Sequence, residues 1–347
     1  MGRAFKYLCA LLLPLTAVIS FTSTGLLSFS TLIFAFIFIP VTELLINTDE
    51  ENLSKEEEGV VKNQKVYDWI LYTTVFVQYV FLVFFLIQVR NPELGTLDVV
   101  GRISAMGVLC GTLGINVAHE LGHRSTSYER FLSKLLLLTS LYMHFYIEHN
   151  RGHHRYVSTD EDPASARFGE TVYAFYFRSI FGAWFSAWNI EASQLKKAGR
   201  KVVSLENEMI RFQMIQLLFI VLIGLVFGWT TMLYFVLAAI TGFIYLETVN
   251  YIEHYGLRRE KVGDHYERVK TEHSWNSNHR LGRAVLFELS RHSDHHYSAS
   301  RKYQILRHHD NSPQMPTGYP GMMLLSLIPP LWFKVMNKRV KAYQGGH

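Results

Sequence analysis

Cysteine is nearly absent from this chain, with only Cys9 and Cys110 among 347 residues. Two thiols give no disulfide framework, and both fall in apolar runs, where a buried thiol packs as a small hydrophobe. They are also too few to ligate a four-cysteine iron–sulfur centre, so the chain cannot carry one of its own. Charge is sparse, at 18% Asp, Glu, Lys and Arg and a net +5. The basic residues flank apolar runs rather than forming one stripe, which argues against a nucleic-acid partner. No internal repeat or low-complexity tract is present.

Apolar sequence fills the space. Six runs approach or reach the length that crosses a bilayer, at about 7–22, 27–47, 69–89, 97–122, 209–227 and 230–250. Helices satisfy their own backbone groups in lipid and open sheets do not. The expected fold is therefore an all-α polytopic membrane protein with six transmembrane helices, forming one membrane-embedded domain over 1–347. The first run lacks a small-x-small cleavage site and reads as a retained span. Arg3 and Lys6 precede it, and the segments 123–208 and 251–347 are rich in Lys and Arg, so the positive-inside bias puts all three in the cytoplasm.

Within this frame, Thr22-Ser23-Thr24-Gly25 and Gly228-Trp229-Thr230 read as tight turns, and Arg90-Asn91-Pro92 as the stop of span three. Gly101, Gly107, Gly111 and Gly114 recur along span four, a spacing that lets helices approach closely. The charged loop Asn47 to Lys65 reads as solvated. The stretch 131–147 reads as an interfacial or buried helix, and 322–335, broken by Pro329-Pro330, as an interfacial anchor.

Histidine carries the chemistry. His292, His295 and His296 stand at i, i+3 and i+4, so on a helix their rings share a face. His119 and His123 flank Glu120-Leu121-Gly122, and His149, His153 and His154 form a third group, with His254 alone at the end of span six. Nine imidazoles without dominant carboxylates point to transition metal, and nine are too many for one ion and about right for two. By span count all nine land on the cytoplasmic side as a histidine-rich cap. Glu148, Asp162, Glu253 and Asp294 are placed to accept the rings' second N–H groups, as are His273 and His279 by position. His265, His308, His309 and His347 read as solvated, and His144 as a satisfied core residue. Two other readings stay open. His119-Glu120-x-x-His123 alone is a zinc-protease motif with Glu120 as general base, and metal transport is the non-enzyme alternative, although spans five and six lack charge from Phe212 to Glu247.

The strings His-Glu-Leu-Gly-His-Arg at 119–124, Glu-His-Asn-Arg-Gly-His-His at 148–154, Asp-Pro-Ala-Ser-Ala-Arg at 162–167, Asn-Tyr-Ile-Glu-His-Tyr-Gly-Leu at 250–257 and Arg-His-Ser-Asp-His-His at 291–296 resemble the integral-membrane alkane 1-monooxygenases. These are relatives of the membrane fatty-acid desaturases and hydroxylases. The resemblance implies two non-haem irons held by the nine histidines, O2 as co-substrate and terminal hydroxylation of an alkane entering from the lipid bilayer. It also implies electrons from rubredoxin and its reductase, at a bacterial inner membrane with the site facing the cytoplasm. Arg151, Arg155, Arg167, Arg291, Arg301 and Lys302 lie near the ligands and could receive an acidic donor. Desaturation or hydroxylation of a fatty acyl chain is the alternative on the same chemistry. Arg124, Thr159-Asp160-Glu161-Asp162, Glu288 and the stretch 297–304 depart from the family pattern.

Overall fold

The computed structural model describes residues 2–344, and His347 lies outside them. Among the described residues six helices are long and apolar enough to cross a membrane: α1 (Gly2–Thr22), α2 (Gly25–Leu45), α3 (Lys65–Gln88), α4 (Thr96–Gly122), α6 (Glu208–Phe227) and α7 (Trp229–His254). Between the fourth and fifth of these lies α5, the 26-residue helix Val172–Lys197. Sequence patterning does not suggest α5, because Trp, Phe and polar residues alternate around it with no single apolar stripe. The only strand pairing among the described residues is a two-residue hairpin, Lys261–Val262 with His265–Tyr266. The chain divides into two compact units.

The first unit comprises Met1–Ile37, Lys65–Asn150 and Trp184–Leu246. Its α1–α2 turn needs Gly25, which sits at φ +61° and donates its N–H to Asp98 Oδ1 at 2.6 Å. Gly228, at φ +93°, makes the corresponding turn between α6 and α7. The glycines of α4 are where helices meet. A Cβ on Gly107 would lie 2.5 Å from Thr241 Cγ2, and one on Gly101 would lie 2.2 Å from Ser28 Oγ. Without side chains at these points the backbones come together, and dispersion replaces the hydrophobic drive that lipid does not supply. Leu217, Leu218, Leu222 and Leu225 of α6 are exposed, as lipid-facing residues are.

The second unit comprises Phe38–Gln64, Arg151–Ala183 and Glu247–His347. Tyr251, Tyr255 and Trp332 pack with ring centroids 5.1–5.3 Å apart, and Trp275 donates its indole N–H to the Tyr255 carbonyl. The loop after α2 is exposed at most positions, as expected, but ordered: Ser54 and Glu57 form a capping box on the helix Lys55–Lys62, while Asp49 pairs with Arg283 at 3.0 Å. Its charges have partners in the C-terminal tail, which a local reading of the loop cannot see. The stretch 322–335 buries Met322 and Trp332 in this unit and leaves Leu324, Leu327, Ile328 and Leu331 exposed, within the helices Tyr319–Ser326 and Pro329–Gln344.

Candidate metal centre

In the first unit α4 widens into a π-helical turn at Cys110–Ile115 and then delivers His119, buried, and His123, half-buried. The short helix Phe145–Glu148 leads into His149. The three rings converge, with centroids 4.4–5.1 Å apart and His149 Nε2 3.1 Å from His123 Nε2. Arg124 pairs with Glu120 at 2.7 Å, and a guanidinium on a carboxylate makes it a weaker general base. Arg124 also reaches Asp68 of α3 at 3.3 Å, so this departure from the family pattern ties two spans together. Glu148 is buried, with the Ser186 hydroxyl 3.4 Å away.

The second unit holds the remaining six. His153, His254, His292 and His296 are all buried, and each offers one ligand atom within 4.8 Å of the others. Their Nε2 atoms run in sequence: His153 to His296 at 3.2 Å, His296 to His292 at 2.9 Å, and His292 to His254 at 3.3 Å. His154 and His295 form a separate pair, Nε2 to Nε2, at 3.1 Å. Equal spacing therefore does not mean equal destination. His292 and His296, at i and i+4, share one group while His295 leaves it. His149 and His153 also stand at i and i+4 but belong to different groups, because the intervening turn His149–His153 is π-helical and turns the later ring away.

Burial first, and then the neighbouring imidazoles, push His296 well below its ordinary pKa, which keeps it in the neutral form that ligates. The group fits a metal ion. Neutral imidazoles facing one another through the same nitrogen leave lone pairs opposed unless something positive lies among them. An ion with metal–nitrogen bonds of about 2.1 Å sets neighbouring nitrogens roughly 3.0–3.4 Å apart, close to the spacing found. An all-imidazole set suits iron, copper, zinc or nickel, not calcium or magnesium.

Of the acidic residues singled out from the sequence, Asp162 does the expected job. Its Oδ2 accepts His153 Nδ1–H at 2.8 Å and the Ser165 hydroxyl at 2.5 Å, and its Oδ1 accepts the Ala164 N–H. Burial works to raise the Asp162 pKa, but His153 and Ser165 hold it below the usual carboxylate value. Asp294 is buried and accepts from His309 Nε2 at 2.7 Å and the Arg307 N–H at 2.9 Å. His309 is thus a bonded residue, a correction to its solvated reading, and His308 is bonded to Asn278. His273 is turned to Glu267 and its side chain takes the Lys270 N–H, but its carbonyl hydrogen-bonds His254. His279 bonds Ser277 at 2.9 Å, not a ligand. Glu253, fully buried, lies 3.2 Å from His292 Nε2 and accepts the Tyr319 hydroxyl at 2.7 Å. Tyr319 carries no local signal in the sequence, since its partner is 66 residues away.

The basic candidates divide. Arg155 and Arg167 are exposed, and Arg151, Arg301 and Lys302 are half-buried. Arg291 is corrected: it is buried, with its guanidinium donating to the carbonyls of Leu306, Asp49 and Glu51, and so presents nothing to a docking partner. Glu288 pairs with Arg283 at 2.6 Å and lies 4.0 Å from Arg291 Nε. With Phe287 it holds two successive left-handed residues, φ +51° and +60°, just before the helix His292–Tyr297. Such residues cost about 1–3 kcal/mol each and persist only when neighbours fix them.

Residues 99–326, a span containing all nine histidines, match the fatty acid desaturase family. Alkane 1-monooxygenase 1 of Pseudomonas aeruginosa is 43% identical over 322 residues, covering 92% of this chain and 84% of that protein. Alkane 1-monooxygenase 2 of Alcanivorax borkumensis is 38% identical over 348 residues, 99% of this chain and 91% of its own. The xylene/toluene monooxygenase hydroxylase component of Pseudomonas putida is 30% identical over 242 residues, 70% and 64% of the two chains. The chain belongs to the alkane 1-monooxygenases, multi-pass membrane oxidoreductases of the fatty acid desaturase family.

Proposed function

We propose that this protein hydroxylates the terminal methyl of alkanes to 1-alkanols with O2. In this reading two irons are held by His119, His123, His149, His153, His154, His254, His292, His295 and His296. The relatives named alkane 1-monooxygenases support the alkane substrate. The four buried, convergent imidazoles of the second unit are the observation that carries the metal.

Bound iron supplies what no side chain can, the activation of O2 to insert one oxygen atom into an unactivated C–H bond. The chain's own residues prepare for it. Asp162 accepts the Nδ1 proton of His153, which fixes the tautomer and leaves Nε2 for the metal. Burial of His254, His292 and His296 excludes water. An alkane offers no charge or hydrogen bond, so its binding rests on apolar burial among the spans. One alkane and one O2, with two electrons and two protons, give one alkanol and one water. Rubredoxin with its reductase is the donor in this reading, and Arg151, Arg155, Arg167, Arg301 and Lys302 are its candidate contacts on the cytoplasmic side of a bacterial inner membrane.

The test is a product assay with octane, hexadecane, toluene and an acyl substrate, supplied with iron, reductase and rubredoxin. Formation of 1-octanol that requires O2 is expected. An unsaturated or hydroxylated acyl product with no alkanol would favour the acyl reading instead. Zinc-dependent peptide cleavage would contradict both, and the Glu120–Arg124 ion pair already counts against it.

A further inference from the structure

We propose that the loop entering α6, together with the groove beside it, binds an anionic phospholipid.

Four of the six residues 196–201 are basic: Lys196, Lys197, Arg200 and Lys201. All four are exposed, and they stand just before the first turn of a membrane span. One acid follows, Glu206, 3.7 Å from Arg200 with both side chains more than half exposed. Four basic residues against one acidic leave a net +3 over 196–206. A basic run at the end of a span attracts anionic headgroups, within about a Debye length of the surface.

Charge alone would serve an acidic protein equally well, and the apolar residues of the same loop favour lipid. Val203 is 83% and Leu205 66% exposed. The loop that holds them out is ordered. Asn207, fully buried, accepts the Met209 and Ile210 N–H groups and donates to the Val202 carbonyl at 2.8 Å. Apolar side chains fixed outward beside a basic run are unfavourable in water and suited to the boundary between headgroups and acyl chains.

A groove of about 190 Å³ adjoins the loop, between the helix Ser127–Leu138 and the first turns of α6. Phe131, Leu135 and Ile215 give it apolar walls, and Lys134, Glu208 and Arg211 polar ones. Glu208 takes Lys134 at 2.6 Å and stands 3.7 Å from Arg211, so two cations share one carboxylate. The exposed Arg211 guanidinium also donates to the Leu205 carbonyl at 3.1 Å, which joins the groove to the loop. Together they match an anionic phospholipid, with cations for the phosphodiester and an apolar slot for one acyl chain. None of these residues is a histidine ligand or a donor contact named above, so lipid binding and turnover can be read separately.

Native mass spectrometry of the full chain, released from mixed micelles of equal phosphatidylglycerol and phosphatidylcholine, tests this. Wild type is expected to retain phosphatidylglycerol roughly 10-fold or more over phosphatidylcholine, since each Lys or Arg near an anionic surface is worth about 5-fold in binding. Replacing Lys196, Lys197, Arg200 and Lys201 together by Gln should bring the ratio close to one without changing octane turnover in detergent. Arg211→Gln alone should lower it about 5-fold, and it decides the matter if the fourfold variant does not fold. Equal retention of the two lipids by wild type, or a preference unchanged in both variants, would overturn the lipid site. So would displacement of the lipid by inorganic phosphate at matched ionic strength, which would mark a simple ion site. Loss of rubredoxin-supported turnover in the fourfold variant with the lipid preference intact would give the patch to the protein donor instead.

Discussion

At the scale of single residues, spacing brings out the histidines that cluster and not where each one goes. Eight of the nine rings stand in three close clusters visible in the sequence, but the parting of His149 from His153 depends on a π-helical turn that no residue type announces. Asp162 was legible because it sits nine residues from its histidine. The use of Asp294 by His309 and Arg307 was not, since those bonds form across the tail. Replacing Asp162 by Asn should leave the protein folded and weaken iron retention or turnover about 10–100-fold, because the Nδ1 proton of His153 loses its carboxylate. Unchanged chelator resistance would show that Asp162 does not orient the ligand. His144 gives a pH prediction. Burial lowers its pKa from 6.5 to about 3, so the neutral ring favours the folded state above pH 6.5 and stability is lost as pH falls from there towards 3. At pH 5 the loss is about 2 kcal/mol. Thermal melts of wild type and His144→Leu, run at pH 8 and pH 5, should show the smaller acid-induced fall in the variant. Parallel falls would exclude His144 as a source of acid sensitivity.

At the scale of elements, spans were legible because lipid demands length and apolarity from each run independently. The observed helices match the six expected ones within a few residues at most ends. The order of the loop after α2 is hidden for the opposite reason: it comes from distant partners, Arg283 and Arg291. The glycines of α4 are contact points, as their spacing predicts, and Gly107 makes this testable. Gly107→Val would place its Cβ 2.5 Å from Thr241, and overpacking of this kind costs typically about 1–3 kcal/mol. Gly59→Ala, in the middle of the helix Lys55–Lys62 with nothing within 4 Å of the new Cβ, should be neutral or stabilising by about 0.5–1 kcal/mol. Detergent melting curves check both, and equal effects from the two substitutions would refute the packing role of Gly107.

At the scale of the whole molecule, the membrane character and the family are both readable, one from hydropathy and the other from five strings, four of them histidine-bearing. What a single sequence does not contain is the identity of the metal, since the same imidazoles serve zinc and iron. The measurement that bears most directly on the proposed chemistry is therefore metal analysis of the intact protein, purified from its membrane in mild detergent and quantified against chain concentration. About two irons per chain are expected, falling in step with hydroxylase activity when a chelator removes them. A preparation that is active on octane while holding stoichiometric zinc and no iron would contradict the assignment of these nine histidines.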